Sequence, residues 1–301
     1  MTYHILFNPH AGNERGAAEA RKLDQLLSGN ELHYHDMTEI TDYPALFESI
    51  APEDAIVLCG GDGTLNRFVN DAGDTLPACA ILYFATGSGN DFLHDIGGTK
   101  GDAPVDIKKY LVNLPTVTVN GKTSRFINGI GYGIDGYCCE VGDKQRAEGN
   151  QKINYTAIAI KGLLFHYHPV NAKVTVDGKT FDYKKVWLAP TMHGRFYGGG
   201  MMCAPAQDRL SETYENSVVL MFGSGKLKTL TVFPSIFKGE HVKHTEMVAV
   251  HTGHEVTVTF DKPTALQIDG ETILGVTSYS ASAYSPKNDT KAEELAGVGA
   301  N

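Results

Sequence analysis

The stretch Ala55–Asn66, AIVLCGGDGTLN, joins an unbroken apolar run to three glycines around one aspartate and then to the amphipathic start LNRFV. The run predicts a buried strand over Ala55–Cys59, the glycines a sharp turn, and Leu65–Asp71 a helix. Strand, glycine turn and helix N-terminus together present backbone N–H groups and a positive dipole end to an anion. Gly60, Gly61, Gly63 and Thr64 therefore read as a phosphate cradle. Asp62 would repel phosphates unless a cation intervened, which favours a magnesium-nucleotide over a free phosphate. A plain turn capping a helix is the competing explanation, and it leaves the third glycine and the carboxylate unexplained.

Outward from this stretch, Tyr3–Phe7, Leu32–Met37 and Cys79–Phe84 predict strands, and Glu14–Leu27, behind the turn-forming Asn13, and Tyr43–Ile50 predict helices. Such alternation implies right-handed crossovers and a mainly parallel sheet, with ligands at the carboxyl ends of its strands. Two more loops follow strands in the same way: Asn8-Pro9-His10-Ala11-Gly12, and TGSGNDF over residues 86–92. Each alone is ordinary loop chemistry. Three at strand exits of one α/β unit point to a single crevice.

From about Thr116 the pattern changes to short β-rich runs: Val117–Val119, Phe126–Asn128, Ala172–Val176, Thr180–Leu188, Val218–Phe222, Met247–His251, Val256–Phe260 and Ala265–Ile268. Asp177-Gly178 predicts a hairpin turn between two of them, and Asn154–His166 and Leu227–Lys238 predict helical interruptions. The expected organisation is an α/β domain over 1–120, a mostly antiparallel β domain over 121–284, and a polar tail over 285–301.

The chain has 301 residues, with 26 Lys and Arg against 35 Asp and Glu, a formal charge of −9. That balance argues against the basic footprint of a nucleic-acid binder and against a whole-face electrostatic membrane anchor. No apolar stretch approaches the ~18 residues of a membrane span, and the N-terminus lacks the basic and apolar regions of a signal peptide. Five cysteines, with Cys138 and Cys139 adjacent, fit neither a disulfide framework nor CxxC metal spacing, so the expectation is a reduced, cytoplasmic protein. Gly131–Gly136 matches GxGxxG, but the following CCEVGDK reads as a poor helix opening, which argues against a dinucleotide fingerprint. The pairs His241/His244 and His251/His254 lack a third ligand and read as surface or packing residues. Neither Ser88 nor Ser224 lies in a GxSxG elbow.

NPHAG at residues 8–12, GGDGTLN at 60–66, GSGNDF at 87–92 and QIDGE at 267–271 resemble, in this order and over nearly the whole chain, the diacylglycerol kinase catalytic-domain family of lipid kinases. The resemblance implies a Rossmann-like α/β nucleotide-binding domain followed by a β-sandwich, with the active site in the cleft between them. It implies that Asn8, Pro9, Gly12, Thr38, Gly60–Asn66, Ser88 and Asn90 line an ATP site. Asp62 and Asp91 would hold the magnesium bound with ATP, and Asp269 and Glu271 would lie near the acceptor hydroxyl, one of them as general base. Asn128 and Asp135 would face the cleft. Phosphoryl transfer asks a protein for positioning, charge neutralisation and a carboxylate to take the hydroxyl proton, so the set is chemically coherent. The reading is an ATP-dependent kinase of a lipid hydroxyl, diacylglycerol by default, in lipid metabolism and phospholipid biosynthesis. The Asp-Gly of residues 269–270, taken by itself, equally predicts a hairpin tip.

Three departures from the family pattern stand out. Ser88 replaces the usual threonine; Thr116 or Thr118 stands where an acidic strand residue is common; and DRLSETYENSVV lacks the Asp-Gly pair expected to help hold a second, structural magnesium. NAD kinases, which share GGDGT, are the first rival, and a non-catalytic nucleotide-binding protein is the second. Lys161, Lys184, Lys185, Lys226, Lys228, Lys238 and Lys243 fall among Leu163, Leu164, Phe165, Phe233, Ile236 and Phe237. These are either transient docking patches for a membrane surface, making the protein peripheral there, or solvated rims of core helices. Homodimerisation is left open.

Overall fold

The computed structural model describes residues 1–73, 75–87, 89–150 and 153–284; Ser88 and the expected tail over 285–301 lie outside the described residues. Five strands form the first sheet: β1 (Thr2–Phe7), β2 (Glu31–Asp36), β3 (Ala55–Gly60), β4 (Ala80–Ala85) and β5 (Val105–Asp106), in the order β2-β1-β3-β4-β5. The first four are parallel and β5 is antiparallel to β4. Every residue of β3 is buried, as its unbroken apolar run requires of a strand covered on both faces.

Between these strands lie α1 (Ala11–Glu14), α2 (Gly16–Ala20), α3 (Leu23–Leu26), α4 (Tyr43–Glu48), α5 (Asp62–Asp71) and α6 (Asp91–Asp95). The single helix expected over Glu14–Leu27 is three short pieces. Glu14 adopts φ 60°, and a Cβ on Gly16 would lie 1.9 Å from the Asn8 carbonyl oxygen, so the loop above dictates where the helix breaks. Helix α5 begins at Asp62, three residues earlier than expected.

The second sheet comprises β6 (Thr116–Val119), β7 (Lys122–Arg125), β8 (Gly129–Tyr132), β9 (Val170–Val176), β10 (Lys179–Val186), β11 (Thr191–Met192), β14 (Asn216–Met221), β15 (Val248–Gly253), β16 (Glu255–Ile268) and β17 (Glu271–Ser282), with the small hairpin β12 (Phe196–Tyr197) and β13 (Met201–Met202) beside it. Its pairings are antiparallel. The runs expected at Val256–Phe260 and Ala265–Ile268 are one long strand, β16. Its first half pairs with β9 and its last three residues with β8, across an irregularity between Thr259 and Thr264. That bend lets one hydrogen-bonded sheet fold around a shared core that includes Val119, Tyr132, Val174, Leu220, Val258 and Tyr279. The expected strand Phe126–Asn128 is irregular chain, and its backbone amides serve the site described below.

Among the described residues, the α-helices of this half are α7 (Ile134–Ala147), α8 (Tyr155–Lys161), continued by a π-turn over Gly162–His166, and α9 (Lys226–Val232), which runs on into 3-10 turns over Phe233–Lys238 and Glu240–Lys243. Helix α7 corrects the expectation that CCEVGDK opens no helix. Its glycines serve packing: a Cβ on Gly136 would meet the Ala265 carbonyl at 1.8 Å, and Gly133, at φ 104°, lies against the Trp187 carbonyl. Strand–glycine–helix is present at Gly131–Gly136, but its strand lies in an antiparallel sheet. Among the described residues, no helix is long and apolar enough to cross a membrane.

Candidate active site

Parallel register carries four strand ends to one edge of the first sheet, since Phe7 pairs with both Asp36 and Cys59, and Gly60 pairs with Ala85. The loops at residues 8–12, 37–38, 61–63 and 86–87 therefore share that edge. The Gly60 carbonyl accepts the amides of Thr86 and Gly87 at 2.8 and 3.3 Å and the Tyr83 hydroxyl at 3.1 Å. Gly61 and Gly87 meet backbone to backbone: a Cβ on Gly87 would fall 2.6 Å from the Gly61 Cα. No side chain caps α5, which leaves first-turn amides at this edge for a ligand. Lys100 donates its Nζ to the Gly87 and Thr86 carbonyls at 2.6 and 3.2 Å, tying down the second glycine loop.

Asn8 and Pro9 are half-buried, and Gly12 is exposed at φ 62°. Asn8 accepts the His10 amide on Oδ1. Thr38 is exposed, with its amide and hydroxyl both donating to Asp36 at 2.8 and 2.7 Å. Thr64 is buried against Gly60, where a Cβ would meet its Oγ1. Asn90, at φ 53°, donates to the Gly87 carbonyl at 2.8 Å. Asn66 departs from its expected place: its Nδ2 donates to Asp269 Oδ2 at 2.8 Å and to the Arg125 carbonyl, so it faces the second half of the chain and not the glycine loops.

Asp62 accepts the Asp91 amide on Oδ2 at 3.0 Å, and the Phe92 amide and Asn128 Nδ2 on Oδ1 at 2.9 and 3.0 Å. Its carboxylate thereby holds the start of α6. Asp91 reaches across to the second half, where Gly199 and Gly200 donate amides to its two oxygens at 2.8 and 2.6 Å. Gly198, Gly199 and Gly200 have φ of 62, 83 and 105°, the left-handed conformations that aim successive amides at one anion. Burial, and then the neighbouring Asp62, push the Asp91 carboxyl up to about 6. Just before this loop Tyr197 donates to Asp135 at 2.6 Å. Asp135, expected to face the cleft, is buried, which lifts its carboxyl to about 7.

Asp269 lies at the β16–β17 hairpin tip with φ 46°. Its buried carboxylate accepts four bonds: Ile127 N at 2.6 Å and Asn66 Nδ2 at 2.8 Å on Oδ2, and Asn128 N at 2.8 Å and Gly129 N at 3.0 Å on Oδ1. Burial raises the carboxyl while those donors pull it down. Both oxygens are committed to holding the turn and α5 together. Glu271, two residues on, is exposed and pairs with Ile268 through its backbone, while its carboxylate accepts no hydrogen bond from the described residues.

Sequence reasoning missed the ionic link between the halves. Asp95, four residues after Asp91 on α6, accepts Arg195 Nε at 2.7 Å and Arg209 Nε at 2.6 Å. Arg209, whose side chain is 4% exposed, also donates to Asn128 Oδ1 and the Ile127 carbonyl at 3.1 Å each. The i, i+4 spacing of Asp91 and Asp95 could have suggested a shared face; nothing in DRLSETYENSVV distinguishes Arg209. Among the described residues, no group of three or more His, Cys, Asp or Glu side chains could hold a metal ion, and Arg209 supplies a buried positive charge in the stretch that lacks the Asp-Gly pair.

Residues 2–119 match the diacylglycerol kinase catalytic domain, and residues 128–286 match the YegS C-terminal NAD kinase beta sandwich-like domain. The chain belongs to the diacylglycerol kinase catalytic-domain family. It is similar to YtlR of Bacillus subtilis (strain 168), provisionally named a lipid kinase, at 23% identity over 94% of this chain and 97% of that protein. It is similar to a diacylglycerol kinase of Mycobacterium tuberculosis at 27% identity over 70% of this chain and 67% of the relative. A crystal structure from Bacillus anthracis str. Sterne, provisionally titled a diacylglycerol kinase, superposes with a TM-score of 0.62 at 18% identity, covering 95% of each chain; it supports the fold alone. Membership makes the chain a kinase-like protein with an α/β domain followed by a sandwich.

Proposed function

We propose that this protein transfers the γ-phosphoryl group of ATP to a lipid hydroxyl, with diacylglycerol as the acceptor. The observation that carries the reading is the contrast across one contact. Gly61 and Gly87 meet at the sheet edge where α5 begins uncapped, and one turn along α5 Asn66 binds the hairpin that presents Glu271. The triphosphate would lie on the main-chain amides of residues 61–63 and 86–87, with Asn8 and Thr38 on its flank. Thr64 and Asn90 would shape the loops, and Asn66 would fix the distance between α5 and the hairpin.

Asp62 and Asp91 fit a cation held with the nucleotide. They are adjacent, Asp62 Oδ2 accepts a single amide, and the Asp91 carboxyl is raised by burial and then by its neighbour. Magnesium bound there would neutralise phosphate charge. Glu271 would accept the acceptor's hydroxyl proton as the oxygen bonds to the γ-phosphorus and the bond to the bridging oxygen breaks, releasing ADP. Asp269, with its lone pairs directed at four donors, would orient this hairpin without taking the proton. For the acceptor's chain we look to a groove of about 370 Å3 between α7 and α8, where Tyr137, Val141, Ala157 and Ile158 line one part and polar side chains, Gln145 and Lys161 among them, the rest.

The test is to offer ATP labelled in its γ-phosphate together with diacylglycerol, a sphingoid base or NAD, each in mixed micelles. Label in phosphatidate is expected. Label only in NADP, or in no product, would overturn the lipid-kinase reading.

A further inference from the structure

Phe165, in the π-turn after α8, is 67% exposed, and Leu227, at the start of α9, is 78% exposed. They are not scattered surface residues, because the Lys226 Nζ donates to the Leu164 carbonyl at 2.8 Å and so joins the two segments. The loop before α9 is held firmly: Trp187 Nε1 donates to the Ser224 carbonyl at 3.1 Å, and the Gly223 amide donates to the Lys184 and Lys185 carbonyls at 3.0 and 3.1 Å. Lys184 and Lys185, both exposed, thereby sit on a segment bonded to the loop that leads three residues later into Lys226, Leu227 and Lys228. Lys161, exposed, ends α8 immediately before the turn that carries Phe165. Two large apolar side chains thus stand among Lys161, Lys184, Lys185, Lys226 and Lys228 on a chain of net charge −9. Glu246 is the acidic partner within this group, 2.9 Å from Lys228.

Two protruding apolar groups amid lysines suit neither a protein core nor plain solvent. They match a surface that is anionic outside and apolar a few ångströms down. We propose that Phe165, Leu227 and the surrounding lysines form a docking face for an anionic lipid bilayer. This inference rests on the lipid-kinase reading. The geometry gives it a purpose, since a Cβ on Gly162 would touch Tyr137, a wall of the groove between α7 and α8, so the docking face adjoins the mouth of that groove. The overall acidity keeps the rest of the surface off the membrane and fixes the orientation of approach.

The test is co-sedimentation of the full chain with vesicles of phosphatidylcholine alone and of phosphatidylcholine mixed with phosphatidylglycerol. In parallel, diacylglycerol phosphorylation is assayed in neutral detergent micelles, which need no docking. Expected are binding to the anionic vesicles in preference to neutral ones, weakening with salt, a roughly tenfold loss for F165A/L227A, and about a fivefold loss for each of K184A and K185A. Micellar turnover should be unchanged in all variants. Anionic vesicle binding that is absent, or indifferent to these substitutions, while micellar turnover persists would overturn the docking proposal and leave the kinase reading standing. Self-association abolished by F165A/L227A, with no vesicle binding, would assign the face to a second copy and likewise overturn it. Loss of micellar turnover in the wild-type protein would instead count against the proposed function.

Discussion

Two Asp-Gly turns in the second half share one local design and differ in what surrounds them. Asp177 and Gly178, with φ of 47 and 80°, close the β9–β10 hairpin, and Asp269 and Gly270, with φ of 46 and 100°, close β16–β17. The Asp177 carboxylate is exposed and accepts the His254 and Glu255 amides, at the start of β16, in reach of solvent. The Asp269 carboxylate is buried and accepts from Ile127, Asn128, Gly129 and, across the domain contact, Asn66. A turn is therefore a local matter, whereas its role depends on which distant donors reach it. The contrast also separates Asp269 from Glu271: one carboxylate is spent on structure, and the proposed function assigns the proton to the other.

Substitution can break that contrast. D269A should cost the most, because four donors would lose their acceptor at ~1–3 kcal/mol each; urea denaturation should show at least about 4 kcal/mol of destabilisation. R209A should follow at about 3 kcal/mol by the same measurement, since Asp95 would be left buried with half its partners. E271Q should leave the denaturation curve unchanged and lower kcat by at least about a hundredfold, read by steady-state phosphoryl transfer. A merely structural Glu271 would not produce that split.

Acid should sharpen the comparison further. The folded Asp91 carboxyl is raised to about 6 from its usual 3.8, so the stability it contributes is present below about pH 4 and is lost as pH rises through about 6. The slope is at most about 1.4 kcal/mol per pH unit. Nucleotide affinity should run the opposite way, strengthening over the same interval as the carboxylate forms. D91N should flatten both profiles in pH-dependent unfolding and calorimetry. The smallest effect belongs to D177A, about 1 kcal/mol in urea, because water can replace its partners.

Legibility in the sequence followed the range of the interactions. AIVLCGGDG announces its strand, turn and helix because every determinant lies within a dozen residues, and Asp177-Gly178 announces a hairpin for the same reason. Glu14–Leu27 looked like one helix because the cause of its breaks, Gly16 beneath the Asn8 carbonyl, is a tertiary contact. Helix α7 was hidden in the same way, being fixed by contacts with Ala265, Trp187 and Tyr155. Asp62 is legible in its own glycine turn, and Asp91 and Asp269 through the resemblance, but the partners of all three are not. The Gly199 and Gly200 amides, Asn128 and the Asp95–Arg209 pair involve segments 66 to 141 residues apart in the chain.

The division of labour between the two hairpin carboxylates and the glycine loops can be tested most directly by calorimetric titration of magnesium–ATP into E271Q and wild-type protein, each assayed alongside for phosphoryl transfer to diacylglycerol. Equal heats and affinities are expected for the two proteins, with transfer lost only in E271Q. Absence of nucleotide binding by the wild-type protein, or undiminished transfer by E271Q, would contradict that division of labour.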